Sequence, residues 1–312
     1  MVIAGGSGHV GRAIQNHFDS LGWQVLVLSR TPTRPGDIAW DGSTLGNWVD
    51  VVDGCNVVVN MAGRSVNCRY TRENLSEMRR SRVDSTRVVG QAISTVSRPP
   101  SVWLQASTAT IYAHRFDAAN DDTTGILGGD EPGSPPKWRA SIEIAKAWEA
   151  ELDAAETPRT RKLALRSAMT MQPVRGSVLG VLVKLAKRGL LGTIGDGHQF
   201  VSWVHITDFL STLEFLISHE QLSGPVNICA PNPLPMAEFT WRLREAVGAK
   251  YGLPMPKPVL EVGAFLMGTE TELMLKSRRV VPGRLSEHGF SFKFRDWPVA
   301  AADLVSHPFL EP

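Results

Sequence analysis

Met1-Val2-Ile3-Ala4-Gly5-Gly6-Ser7-Gly8-His9-Val10-Gly11 opens the chain and decides how the rest is read. A short apolar run leads into glycines at 5, 8 and 11, and a helical pattern then runs from about Gly11 to Leu21 and stops at Gly22. Glycine tolerates the tight turn and lets backbone approach a pyrophosphate, which then sits on a helix N-terminus. With a strand before it and a helix after it, the segment Gly5, Gly6, Ser7, Gly8, His9, Val10 and Gly11 is expected to hold a dinucleotide.

An NAD site normally places an Asp or Glu about 20 residues beyond the glycines, accepting bonds from the ribose hydroxyls. Here the second strand ends Leu28-Ser29-Arg30-Thr31, so the position nineteen beyond Gly11 is Arg30, with Arg34 close behind. A cation cannot accept those bonds, whereas a guanidinium suits a 2′-phosphate. NADP(H) is therefore expected in preference to NAD(H). The competing reading leaves Arg30 as a solvated strand-end residue.

The 312 residues suit one large or two modest domains, and a hydrophobic content of 43% can supply a core. Lys+Arg 33 against Asp+Glu 31 leaves a net charge of +2 with no basic block, which argues against a nucleic-acid partner. Cys55, Cys68 and Cys229 are far apart with no C-x-x-C, so neither a disulfide framework nor a metal site is expected. Reduced core thiols in a cytoplasmic protein are the expectation. The longest apolar runs are of strand length or broken by charge, so no membrane span is expected. Residues 1–11 read as strand and turn rather than as a signal peptide. Because the chain begins inside a strand, a natural start upstream of Met1 stays open.

Further along, apolar β-rich runs at Val2–Ala4, Gln24–Leu28, Val57–Asn60, Val102–Gln105, Leu163–Leu165, Val201–Val204 and Pro225–Ile228 alternate with helical patterns. Arg72–Val96 sets Leu75, Met78, Val89, Ile93 and Val96 on one face, and Trp138–Ala155 carries Ile142, Ala145, Trp148 and Leu152 at helical spacing. Such alternation predicts an α/β fold: a Rossmann-type doubly wound parallel sheet with a smaller, mostly helical C-terminal substrate lobe. The expected division is a cofactor domain over 1–170 that also takes in about 196–229, with 171–195 and 230–312 forming the smaller lobe. Ala113–Lys137, rich in Asp, Gly and Pro, reads as a long binding loop or lid.

The chain as a whole resembles an extended short-chain dehydrogenase/reductase, and within that group the atypical epimerase subgroup, often labelled nucleoside-diphosphate-sugar epimerase. The resemblance rests on Gly5–Gly11, Asn60-Met61-Ala62-Gly63, Ser81–Arg87, and Gly195-Asp196-Gly197-His198-Gln199 leading to Ser202–Asp208. It continues through Gly224–Asn227, Ala230–Pro233, and Val281-Pro282 to Gly289–Phe292, the last resembling the subgroup's own C-terminal domain. It implies that Gly5, Gly8 and Gly11 cradle the pyrophosphate, that Arg30 meets the adenosine phosphate, that Asp41 of Trp40-Asp41 lies at the adenine, and that Met61, Ala62 and Gly63 line the cofactor. Arg82 replaces a polar family residue near the cofactor ribose, where it either reaches phosphate or caps surface. Related enzymes often dimerise, which leaves a homodimer open.

Typical members of that group reduce or oxidise with a Ser/Thr and a Tyr-x-x-x-Lys pair, whose members share a helix face. The lysine and the nicotinamide ribose lower the tyrosine from its ordinary pKa of about 10, making it a usable acid and base. This chain has three tyrosines, Tyr70, Tyr112 and Tyr251, and four residues beyond them stand Asn74, Phe116 and Met255. The resemblance places Thr108 in the Ser/Thr role. Anchored on Trp148-Glu149, it places Ser141 at the usual tyrosine and Ala145 at the usual lysine; Lys146 is turned about 100° away. Thr108 and Tyr112 are the catalytic candidates that remain, although the family's equivalent of Tyr112 is usually structural. His114 and the loop carboxylates are weaker ones. Carbonyl reduction without a proton donor loses about 10²–10⁴-fold.

Sugar-nucleotide enzymes of this class commonly hold the substrate diphosphate with an Arg-Asp pair after the Gly-x-Gly-x-Gln stretch. Val201 and Ser202 stand there instead, and without the guanidinium fork that substrate is disfavoured. Arg64, Gln199 and Trp203, with Asn67, Arg69 and His205, are the substrate-pocket candidates, against a core role for Trp203 and a helix-opening role for His205 and Asp208. Three functions stay open: an NADP(H)-dependent oxidoreductase of low or unusual activity on an unidentified small molecule, a non-catalytic NADP(H)-dependent binding or sensor protein, and a nucleoside-diphosphate-sugar epimerase.

Overall fold

The computed structural model describes residues 1–131, 135–266 and 268–310, so residues 132–134 of the long loop lie outside the described residues. In chain order the strands are β1 (Val2–Ala4), β2 (Leu26–Ser29), β3 (Asp37–Ala39), β4 (Val57–Asn60), β5 (Val102–Thr108), β6 (Arg161–Ser167), β7 (Met169–Met171), β8 (Phe200–Val201), β9 (Trp203–His205), β10 (Gly224–Ile228) and β11 (Leu234–Pro235). The helices are α1 (His9–Ser20), α2 (Arg72–Thr95), α3 (Pro136–Ala154), α4 (Val178–Lys187), α5 (Ile206–Ser218), α6 (Met236–Ala246), α7 (Lys257–Leu266), α8 (Glu272–Leu275), α9 (Gly283–Glu287) and α10 (Trp297–Ser306).

Seven strands form one sheet in the order β10-β6-β5-β4-β1-β2-β3, and every pair is parallel. Strand side chains alternate faces. Val2, Ala4 and Val58 point into a core closed by Val88, Val89 and Ile93 of α2 and Leu152 of α3. Ile3, Val57 and Val59 point into the opposite core, closed by Ile14 and Phe18 of α1 and Phe209 and Leu213 of α5. Burial on both faces is why these strands read as continuous apolar runs. The fold is the doubly wound Rossmann arrangement. Its connections reverse at β1 and β4, and ligands bind outside the carboxyl ends of strands at such a switch point.

The expected strand over Val201–Val204 divides at Ser202. That hydroxyl donates to the Arg278 carbonyl at 2.7 Å and accepts from the Val280 N–H at 2.9 Å. The two halves then leave the main sheet: β8 pairs with β11 and β9 with β7. Of the 196–229 segment, only β10 joins the seven-stranded sheet.

A separate core unites α4, α6 and α10 through Leu182, Phe239, Leu243, Trp297 and Leu304. Trp297 stacks on Phe239 at 4.2 Å and donates its indole N–H to the Phe239 carbonyl at 2.9 Å. The long acidic loop is tied to this C-terminal region. The buried Asp122 carboxylate accepts from the backbone N–H groups of Asn227 and Arg284, and the Asn120 N–H donates to the Arg279 carbonyl at 2.7 Å. No helix among the described residues is long and apolar enough to cross a membrane.

Candidate functional site

The two loops that leave β1 and β4 touch at the switch point. Gly5 adopts φ +69°, and a Cβ there would lie 2.5 Å from the Ala62 Cα. Met61 N–H donates to the Ala4 carbonyl at 2.8 Å, and Asn60 Oδ1 accepts from the Ala62 N–H at 3.0 Å. Asn60 is itself held by Gln105 Oε1 at 3.0 Å. Gly11 is tight for a different reason: its Cβ would sit 2.5 Å from Gly6, which packs α1 onto the turn. Gly8, the N-cap of α1, would direct a Cβ into open space, with no atom within 4 Å.

That open space is a cleft of about 580 Å³ walled by Gly5, Ser7, Gly8, Arg30, Asp41, Met61, Ala62 and Gly63. α2 adds Glu77, Arg80, Ser81, Asp84 and Ser85, whose spacing is that of one helical face. Its acids are already engaged, Glu77 with Arg80 and Asp84 with Arg87. Asp37, the first residue of β3, is engaged as well: Arg12 bonds it through two nitrogens, one at 2.8 Å, and holds its carboxyl well below the usual range. Asp41 folds back on the backbone N–H groups of Ser43 and Thr44 and on the Thr44 hydroxyl, which lower its pKa to about 2. Arg30 is exposed and, among the described residues, has no hydrogen-bond or ion-pair partner. The cleft thus presents a helix N-terminus free of a side-chain cap and one unpaired guanidinium, a donor set that fits a dinucleotide with an extra phosphate.

Met61 and Gly63 also wall a second cavity of about 410 Å³, deeper along the strand ends. Most of its lining is apolar, including Val10, Met78, Trp148, Phe209 and Met274. The polar side chains on its wall include Tyr70, Arg82, Thr108, Ser141 and Arg278, with further hydroxyls from Ser107, Thr110, Ser167 and Thr170. Arg82 stacks over Trp148 at 5.0 Å and donates to the Met78 carbonyl at 3.0 Å; burial lowers its pKa to about 10, which leaves it charged at neutrality. Glu272, from α8, is buried behind this wall. Its Oε1 lies 2.6 Å from the Ser141 hydroxyl and 3.8 Å from Arg278. Burial raises the Glu272 pKa even though Arg278, Ser141 and Lys276 act to lower it.

Comparison with known proteins follows the same outline. The model of the NAD dependent epimerase/dehydratase family matches residues 1–229. The chain belongs to that family. A domain of unknown function, DUF1731, matches residues 255–304, the segment that carries Glu272 and Arg278. The human epimerase family protein SDR39U1 is 28% identical over 98% of this chain and 99% of its own length. A crystal structure of human SDR39U1 (isoform 2) with NADPH superposes with a TM-score of 0.84 at 24% identity, covering 98% of this chain and 99% of that one. A nucleoside-diphosphate sugar epimerase from Corynebacterium glutamicum reaches a TM-score of 0.77 at 26% identity, covering 99% of this chain and 58% of that one.

Within this epimerase/dehydratase scaffold the residues expected from sequence separate into three groups. Gly5, Ser7, Gly8, Arg30, Asp41, Met61, Ala62 and Gly63 wall the cleft, while Val10, Arg82, Thr108, Ser141 and Ala145 wall the inner cavity. Gly6 and Gly11 stand on neither wall and serve the turn, and His9, the first residue of α1, stands on neither wall. Arg82 neither reaches outward nor caps surface, because Trp148 and the Met78 carbonyl hold it in the inner wall.

The third group falls outside both cavities. Tyr112 is fully buried. Its hydroxyl donates to Asn227 Oδ1 at 2.8 Å and accepts from Arg166 at 2.9 Å, and burial pushes its pKa up to about 12. A phenol so engaged is a brace, not an acid. Trp203 is fully buried at 5.0 Å from Trp297, so it belongs to the second core. Gln199 spends its amide on the carbonyls of Ile194 and Met274, at 2.9 and 3.0 Å. Arg64 is fixed through its backbone N–H to Ser81 Oγ at 3.0 Å, and its side chain joins neither wall. His205 caps α5 by accepting from the Thr207 N–H, and Asp208 binds the N–H groups of Lys293 and Phe294 at 2.8 Å. Lys146 pairs with Glu143 at 3.3 Å. Tyr70, Glu272 and Arg278 were not expected; they come from loops and a four-residue helix with no periodic signal.

Proposed function

We propose that this protein is an NADP(H)-dependent oxidoreductase acting on a small, largely apolar carbonyl compound. The observation that carries the reading is that the two cavities share Met61 and Gly63 as wall: a cleft suited to a dinucleotide adjoins a mostly apolar chamber of ligand size. Unpaired Arg30 supports NADP(H) over NAD(H), and the relative SDR39U1 was crystallised with NADPH. When bound, the reduced nicotinamide supplies a hydride. The chain supplies the rest: glycine backbone for the pyrophosphate, Arg30 for the 2′-phosphate, and a mostly apolar wall beside the reacting carbonyl. In this reading the smaller lobe (171–195 and 230–312) closes the chamber through Leu273, Met274 and Arg278 on the cofactor domain (1–170 with 196–229). A cytoplasmic location, a small-molecule partner with neither nucleic acid nor membrane, and a homodimer belong to the same proposal.

A second reading, an NADP(H)-dependent binding or sensor protein, is favoured by one observation: apolar Ala145 stands in the chamber wall where the group's lysine is expected. The epimerase reading loses support because Val201 and Ser202 are buried away from both cavities. The test is NADPH binding followed by NADPH oxidation against a panel of aldehydes and ketones. Turnover of an apolar carbonyl compound is expected. Tight NADPH binding with silence across the panel would favour the sensor, and conversion of a nucleotide sugar would favour the epimerase.

A further inference from the structure

The chamber lacks the phenol-ammonium pair of its group, yet it has a buried acid reaching one of its wall hydroxyls. Ser141 Oγ lies 2.6 Å from Glu272 Oε1 and 2.9 Å from the Trp138 carbonyl oxygen. Both neighbours are acceptors when Glu272 is ionised, and Ser141 has one hydrogen to give. A protonated Glu272 resolves the conflict: the carboxyl O–H donates to Ser141 Oγ, and the Ser141 O–H donates onward. Glu272 Oε2 and Arg278 Nη2 are buried with no partner in strict hydrogen-bond geometry among the described residues, although the Tyr70 hydroxyl lies close enough to Glu272 to favour its carboxylate. A buried carboxylate in that position carries a large desolvation cost, whereas the neutral acid does not. Arg278 lies 3.8 Å away, close enough to meet the charge once it forms.

We propose that Glu272 and Ser141 form the proton relay of this site, Ser141 giving its hydroxyl proton to the substrate oxygen and Glu272 replacing it. The relay rests on the oxidoreductase reading above. As the carbonyl carbon gains the hydride, the π pair of the C=O bond moves to oxygen. That oxygen takes the proton from Ser141 Oγ, and Ser141 takes the proton of the Glu272 carboxyl. The products are the alcohol, the oxidised dinucleotide and a Glu272 carboxylate facing Arg278; solvent then restores the proton. Ser141 touches the substrate and is the catalytic residue, and Glu272 is a positioning residue that acts through it.

The charged and titratable groups around Glu272 are Tyr70 from the loop before α2, and Lys276 and Arg278 beyond α8. Behind Lys276 lie Glu131 and His114. Lys276 donates to the Thr110 carbonyl at 2.7 Å, and burial lowers its pKa to about 7, so its positive charge fades near neutrality and ceases to favour the carboxylate.

The test uses the full chain labelled with 13C-glutamate. Infrared difference spectra of parent minus Glu272→Gln, taken without cofactor, should show a protonated-carboxyl band at neutral pH that shifts with the label. The label separates it from Asp122 and Asp208, which burial also raises. With NADPH and a reducible carbonyl compound, Ser141→Ala and Glu272→Gln should each lower kcat by about 10²–10⁴-fold, with unchanged NADPH affinity and melting temperature. Reduction by the parent should fall as pH rises through the Glu272 pKa, because the acid form is the competent one, and Glu272→Gln should abolish that limb. Three results would overturn the relay: no labelled band, a parent pH profile that Glu272→Gln leaves intact, or full activity in Ser141→Ala with loss in Tyr70→Phe. Absence of carbonyl turnover by the parent, with the band present, would instead overturn the oxidoreductase reading and the relay with it.

Discussion

Gly8 and Gly5 stand three residues apart in one turn, and the structure gives their side-chain hydrogens different jobs. At Gly5 an added methyl meets the Ala62 Cα at 2.5 Å and the Ala62 nitrogen at 2.7 Å, and the backbone is left-handed at φ +69°. The left-handed cost of about 1–2 kcal/mol and an overpacking cost of about 1–3 kcal/mol together give about 2–5 kcal/mol for Gly5→Ala. At about 2–4 °C per kcal/mol, the melting temperature should fall by about 4–20 °C. At Gly8 the methyl meets nothing within 4 Å, and φ −77° with ψ 171° is open to any residue. Alanine is a poorer N-cap than glycine, but it also restricts the unfolded chain, so Gly8→Ala should leave stability within about 0.5 kcal/mol. Its methyl would stand where the pyrophosphate approaches the first turn of α1. Losing one such charge-assisted contact, worth about 1.5–3 kcal/mol, weakens binding by about 10- to 100-fold. Thermal melts of the free protein and calorimetric titration with NADPH separate the two effects. If Gly8→Ala binds NADPH as tightly as the parent, the cleft is not the cofactor site and the reasoning fails.

Arg30→Ala should reduce NADPH affinity by about tenfold and leave NADH affinity unchanged, because the guanidinium serves the 2′-phosphate alone; an unchanged NADPH/NADH ratio would return Arg30 to the solvent. Tyr112→Phe removes the hydroxyl shared by Arg166 and Asn227 and should cost about 1–3 kcal/mol in denaturant unfolding, with kcat unaltered. A loss of rate at full stability would restore Tyr112 as a chemical group. Asp37 has a folded pKa below its unfolded value of about 3.9, through its bonds to Arg12 first. Its stabilisation is therefore complete above that value and is lost as pH falls through the folded pKa. The gap in denaturant midpoint between parent and Asp37→Asn should be constant from neutrality to about pH 5 and close in more acid solution; a gap that widens in acid would show the pairing has been read wrongly.

The sheet was legible in sequence because its physics is local. Three-residue β1 already shows the alternation that sends Val2 and Ala4 to one core and Ile3 to the other. The glycines at 5, 8 and 11 mark a turn whose demands fall within seven residues of chain. What stayed hidden depended on contacts across the chain. Val201–Val204 has the apolar content of one strand, but Ser202 is claimed by Arg278 and Val280 nearly eighty residues away, and that claim splits it. Trp203 and Gln199 lie in a motif that resembles a substrate site, and only the placement of Trp297 and Met274 shows that both are spent on packing and backbone.

The catalytic question follows the same rule. A missing Tyr-x-x-x-Lys is visible by counting, since both residues lie on one helix. Its replacement is not, because Ser141 and Glu272 are separated by 131 residues and are brought within 2.6 Å only when α8 folds onto α3. A helix position emptied of its acid thus does not make an empty site. The wall of this chamber is completed by the C-terminal domain, and the chemistry to be sought in such chains lies in the contacts that domain makes rather than in the helix that lost its pair.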